Sequence, residues 1–333
     1  MNDLTVTRIS NQVYQIDASL PGSAGTVAVY VLKGSKIAIV DCGYASTYKT
    51  ILQGLNEIGI QPSEVNYLIP THLHLDHSGG TGHLLHHTPN AQVIAHERGV
   101  PHFIDPFILI KSVTSIFGPE IMRIYGKPIS VEKNRIVPVR RELHLNLGQG
   151  LSVIAIETPG HAPHQISLFV EEPKLLLSAD AVGSTLPKIP TMIPTTPPPS
   201  FDPSKLADTI DNLLQLDSRE LLVPHYGVRK DARDVLQETK TKTEEWICGV
   251  KASEKEGLCL DEIVERFLSR LMKETGLRRQ DLDTFTRLVV RVSIMGILTF
   301  LDKIPQSSNV SIQPKRSHRR AFVKERTGVS KKF

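Results

Sequence analysis

The segment Thr71-His72-Leu73-His74-Leu75-Asp76-His77-Ser78-Gly79-Gly80 constrains this chain more than any other, because it sets four candidate metal ligands within six consecutive positions. Along an extended backbone alternate side chains point the same way. His72 and His74 therefore share a side and can meet one cation, while Leu73 and Leu75 point away and anchor the loop in a core. Asp76 and His77 follow where the chain turns into a helix, within reach of a second cation beside the first. Gly79-Gly80 lets the backbone pack closely behind the loop. The plain alternative is a cluster of surface histidines, but with 13 histidines in 333 residues, three at fixed spacing plus an aspartate rarely coincide.

Three further strand ends add to the pattern. Residues 151–157 read as an apolar strand that runs into Thr158-Pro159-Gly160-His161. The apolar run 175–177 leads to Ser178-Ala179-Asp180, and 221–223 ends in Pro224-His225-Tyr226-Gly227. Taken singly, His161 is as easily a turn residue as a ligand, and Asp180 a helix cap. A carboxylate at a strand end can also bridge two cations. Four strand ends that deliver ligands to one edge of a layered fold are what an active site needs.

In the order and type of these residues the sequence resembles the metallo-β-lactamase superfamily, over residues 1–228. The resemblance implies that His72, His74 and His161 hold one divalent metal ion. It implies that Asp76, His77 and His225 hold a second, with Asp180 bridging the two. The fold it implies is α/β, an αββα four-layer sandwich of two facing mixed sheets with helices outside. The activity it implies is that of a dinuclear metal-dependent hydrolase. Two ions about 3.5–4 Å apart would share a bridging hydroxide near neutral pH and polarise the scissile bond. Asp76 and Asp180 would be the catalytic carboxylates, moderating the charge of the cluster and orienting the nucleophile. Zinc suits this His/Asp set, and manganese or iron accepts the same ligand types.

The remaining sequence is compatible with such layers. Short β-branched runs at 4–9, 12–18, 26–32 and 36–41 precede a helix over 46–58 with Ser46 as N-cap, a strand at 64–70, a helix over 79–87 and a strand at 91–95. Residues 102–128 have helical apolar spacing broken by Pro106, Gly118 and Pro119, and can form a lid that supplies an apolar wall, or simply core. Strands resume at 135–139, 142–147, 151–158, 166–170, 174–178 and 220–224. Seven prolines between 187 and 203 exclude a regular helix or central strand there, and a helix follows over 203–216. From residue 229 to 304 the pattern is helical: Ile263, Phe267 and Leu271, then Phe285, Leu288, Val289 and Val292, recur at helical spacing. That apolar face can pack on the main domain or form a homodimer interface.

Charge is unevenly placed. Eight Lys/Arg against Glu325 put residues 305–333 at +7, and the overall +4 leaves the body at −3. This basic tail is expected to be disordered, with no more than a non-specific hold on nucleic acid. An odd cysteine count, with no paired spacing among Cys42, Cys248 and Cys259, points to a reducing cytoplasm. The N-terminus lacks a signal-peptide pattern. The apolar stretch 288–301 is interrupted by Arg291 and is too short to span a bilayer, so no membrane partner is expected.

The substrate is read as a small molecule, an ester, thioester or lactone. Pro159–Phe169 is similar to the corresponding stretch of acyl-homoserine lactonases, although Gly183 stands where those enzymes have a tyrosine. Glyoxalase II enzymes share a helical C-terminus, but their glutathione-binding tyrosine has no counterpart here. His164, Tyr226 and Phe107 are candidate substrate contacts. Two rival activities share the fold: a mononuclear-iron persulfide dioxygenase, which consumes oxygen, and a metal-dependent phosphodiesterase or nuclease.

Overall fold

A computed structural model describes residues 6–186, 189 and 191–303; the basic tail lies outside them. Seven strands form one mixed sheet in sequence order: β1 (Val6–Arg8), β2 (Val13–Asp17), β3 (Ala28–Lys33), β4 (Ile37–Val40), β5 (Val65–Ile69), β6 (Gln92–His96) and β7 (Ile136–Val139). The first four pair antiparallel, and β4 to β7 pair parallel. The second sheet runs β8 (Glu142–Gly148), β9 (Leu151–Glu157), β10 (Ile166–Val170), β11 (Leu175–Leu177), β12 (Glu220–Val223) and β13 (Gly227–Arg229). The sequence pattern does not mark β13, a three-residue hairpin partner of β12.

The central strands β3, β4, β10, β11 and β12 read as continuous apolar runs because both their faces are covered. Ala28, Tyr30 and Leu32 of β3 enter the space between the sheets, where they join Leu151, Val153, Ile166 and Leu168. The intervening Val29 and Val31 enter the layer under the outer helices. Those helices are α1 (Tyr48–Glu57), α2 (Leu75–Ser78), α3 (Thr81–His87), α4 (Val100–Ile104), α5 (Phe107–Phe117) and α6 (Ile121–Tyr125). Pro106 and the Gly118-Pro119 pair separate the last three, as expected. Helix α1 begins at Tyr48 after a turn over Ala45–Thr47, and no side chain caps it, so Ser46 is not its N-cap.

The opposite outer layer is α7 (Pro203–Leu214), α8 (Ala232–Lys255), α9 (Leu260–Thr275) and α10 (Thr284–Asp302). Phe169, Leu176 and Leu221 of the second sheet, Ile210 of α7, and Ile263, Phe267 and Ile294 of the last helices share one core. The C-terminal helices thus complete the outer layer of the sandwich. Helix α10 spans 19 residues and is long and apolar enough to cross a membrane by length and composition, longer than the sequence stretch suggested. In the fold its Val290, Ile294 and Ile297 are fully buried in that shared core.

Candidate metal centre

The seven side chains come from the segments after four strands at one edge of the sandwich. His72 and His74 follow β5, and Asp76 and His77 lie on α2. His161 lies between β9 and β10, Asp180 follows β11, and His225 follows β12. Two hydrogen bonds lock the sheets together there: Ala28 N–H donates to Pro224 O (2.8 Å) and Tyr30 Oη–H to Val223 O (2.8 Å).

Within this edge the donor atoms form two triads. His74 Nδ1 lies 2.8 Å from His72 Nε2 and 2.9 Å from His161 Nε2. His77 Nε2 lies 3.2 Å from His225 Nε2 and 3.7 Å from Asp76 Oδ2, which is 3.5 Å from His225 Nε2. Asp180 sits between them. Its Oδ2 is 3.5 Å from His161 Nε2, and its Oδ1 is 3.6 Å from both His77 Nε2 and His225 Nε2. Asp180 Oδ1 is buried without a hydrogen-bond partner. An orphaned buried carboxylate oxygen is costly unless a cation or a proton meets it.

The far side of most rings is pinned, which fixes which nitrogen faces inward. His161 Nδ1 donates to Thr195 O (2.9 Å) and His225 Nδ1 to Thr26 O (2.6 Å). His77 Nδ1 donates to Asp41 Oδ2 (2.9 Å), and Asp41 Oδ1 in turn accepts from Thr71 N–H and Oγ1–H. Burial, with further lowering from neighbouring imidazoles, pulls His74 and His161 down to about 3 and His72 well below its ordinary value. These three are neutral, with lone pairs converging on a common point. Burial likewise opposes charge on His77, but the carboxylates of Asp41, Asp76 and Asp180 outweigh it and lift its pKa to about 10. The pocket therefore favours positive charge at its centre. Neutral imidazole nitrogens and carboxylate oxygens in this arrangement fit divalent cations.

The cluster floors a cavity of about 440 Å³. His164 lines it without joining either triad: its Nδ1 accepts Leu73 N–H (3.3 Å), and its ring centroid is 6.4 Å from that of His72. Two other expected contacts are corrected. Phe107 opens α5 and is 64% exposed, off the cavity face formed by Leu109, Ser112, Val113 and Ile116. Tyr226 packs its ring on the inter-sheet core and does not line the cavity. The lid expectation for 102–128 holds in part, through α5, whereas Phe103 is core.

Some neighbours of the cluster were not foreseen. Asp41 directly follows β4, an acid just past a strand end like Asp180, and its φ of 62° is the left-handed conformation that Asp tolerates. Tyr44 and Tyr125 line the cavity with ring centroids 4.6 Å apart. Burial, reinforced by the Asp76 charge, raises Tyr44 well above the usual phenol value and Tyr125 to about 12. Both are neutral hydroxyl donors beside the cluster.

Comparison with known proteins agrees with this geometry. The family model of the metallo-beta-lactamase superfamily matches residues 22–225. A metallo-beta-lactamase fold-containing protein of Sulfurisphaera tokodaii is 25% identical over 206 residues, covering 60% of this chain and 72% of that protein. The N-acyl homoserine lactonase AttM of Rhizobium radiobacter is 30% identical over 130 residues, covering 38% of this chain and 45% of that enzyme, so this chain matches less than half of its length. Among solved structures, a metallo-beta-lactamase family protein from Thermus thermophilus superposes with a TM-score of 0.65 at 20% identity, covering 89% of this chain and 94% of that one. The chain belongs to the metallo-beta-lactamase superfamily.

Proposed function

We propose that the protein is a dinuclear hydrolase of a small ester, thioester or lactone, with zinc as the best match to its donor set. The observation that carries this is the position of Asp180, one oxygen toward each triad, with Oδ1 otherwise unpartnered. When bound, two such cations supply hydroxide at neutral pH and an electrophile for the scissile carbonyl. His72, His74 and His161 would hold one, Asp76, His77 and His225 the other, and Asp180 both.

The chain's own groups do the rest. Asp180 and Asp76 offset the cationic charge. Asp76 is the more accessible of the two, its side chain 21% exposed against 6% for Asp180, so it is placed to orient the attacking water and take its proton. Tyr125, held neutral, offers an O–H donor to substrate oxygens. AttM is an N-acyl homoserine lactonase, and the same attack serves esters and thioesters. Free thiols at Cys42, Cys248 and Cys259 support a reducing, cytoplasmic setting for this small-molecule chemistry.

The test is chelator-stripped protein reconstituted with zinc, manganese or iron and assayed on an ester, thioester and lactone panel, with oxygen monitored. Metal-dependent turnover without oxygen uptake is expected. No turnover in any reconstituted form, or turnover that consumes oxygen, overturns the proposal.

A further inference from the structure

Resting on that hydrolase reading, we propose that the substrate carries a neutral, apolar acyl group held between α5 and α10, so that the C-terminal helices form part of the substrate site. His74, Asp76, His161, Asp180 and His225 line the floor of the cavity. Two helices contribute apolar stripes to its walls. Leu109, Ser112, Val113 and Ile116 present one stripe of α5, at the i, i+3, i+4, i+7 spacing of a single helix face. Phe285, Leu288, Val289 and Val292 present the same spacing on α10. Phe285 reaches the metal centre itself, its ring centroid 5.6 Å from that of His225.

The α10 wall is fixed in place. Ser293 Oγ donates to Pro194 O (2.6 Å), and Thr196 Oγ1 donates to Ser293 O (2.9 Å). A Cβ at Gly296 would collide with the Thr196 carbonyl, so the helix and the proline-rich segment touch backbone to backbone. The mouth is apolar too: Ile108 and Phe117 line the cavity yet are 63% and 37% exposed. Among the described residues no Lys or Arg lines the cavity. With no Lys or Arg side chain among these described lining residues and apolar stripes on both helices, the cavity favours a hydrocarbon chain.

The experiment compares 4-nitrophenyl acetate with the octanoate, and a neutral octanoyl thioester with its glutathione counterpart, in metal-replete protein. Binding of octanamide, which is not turned over, is measured in parallel by calorimetry. Each added methylene is expected to raise kcat/KM about threefold, giving at least about a hundredfold from acetate to octanoate. The neutral thioester should exceed the glutathione one about tenfold or more. Val292→Trp and, separately, Leu288→Ser should collapse the octanoate-to-acetate ratio and weaken octanamide binding, whereas Arg291→Ala, on the exposed face of α10, should leave both as they are. Metal-dependent acetate hydrolysis with no chain-length preference overturns this inference and leaves the hydrolase reading standing. Octanamide binding that the wall variants abolish, in a protein that hydrolyses no ester, overturns the hydrolase reading and supports the wall. Wall variants that change neither ratio nor binding overturn the inference.

Discussion

His77 donates from Nδ1 to Asp41 Oδ2 across 2.9 Å, and this pair turns the other ring nitrogen toward the metal centre. The remaining oxygen of Asp41 is already committed, accepting from Thr71 N–H at 2.9 Å and Thr71 Oγ1–H at 2.7 Å.

Asp41→Asn is therefore expected to damage metal binding through the tautomer of His77. The amide oxygen must stay on Thr71, which leaves the NH₂ group facing His77 Nδ1. That forces the imidazole proton onto Nε2, where the lone pair is needed. Zinc affinity by chelator competition should fall about 10- to 100-fold, with circular dichroism unchanged because Asn also tolerates the left-handed backbone. Unchanged affinity would remove Asp41 from the account.

Gly80→Ala tests the close packing behind the ligand loop. A Cβ there would meet the Cys42 carbonyl, beside the bonds Gly80 N–H to Gly43 O (2.9 Å) and Cys42 N–H to His77 O (2.7 Å). The loop must shift, at a cost of about 1–3 kcal/mol. Both the melting temperature and the bound metal should drop. A variant with wild-type metal content would show that the ligands do not depend on this contact.

Ile294→Ala asks whether the C-terminal helices and the sandwich are one cooperative unit. Ile294 is fully buried in the core that α10 shares with the second sheet. Its truncation should cost about 2–5 kcal/mol and lower the midpoint of a single denaturant transition. Two transitions, with only the smaller one moved, would mean that the helices unfold by themselves.

The strands and the 72–77 ligand loop were legible from local pattern, while the αββα layering and the joining of His161, Asp180 and His225 to that loop were legible only through the family resemblance. β-branched runs mark strands, and a His or Asp just past such a run marks a strand end at the sheet edge. What surrounds the cluster was not legible, since it depends on which distant segments meet. Nothing near Asp41 in sequence says that it faces His77, 36 positions on. Phe285 reaches His225 only because α10 folds back over the second sheet. Phe107 and Tyr226 failed as contacts for the same reason: one starts a helix on its outer side, and the other turns its ring into the inter-sheet core.

Metal removal should destabilise the fold as well as silence it. Ions that bind only the native state add stability in proportion to the logarithm of their concentration over Kd, about 2.7 kcal/mol at a hundredfold excess. Chelator should lower the melting temperature and zinc should restore it. A melting temperature indifferent to both would mean that the cluster is stable without cations.

The most direct test of the central claim is the metal-to-protein ratio, by elemental analysis, of wild type beside His161→Ala and His225→Ala. Two divalent ions per chain are expected in the wild type, with one lost in each variant as its triad is opened. A wild-type ratio of one or below, or a ratio that neither substitution changes, would contradict the account.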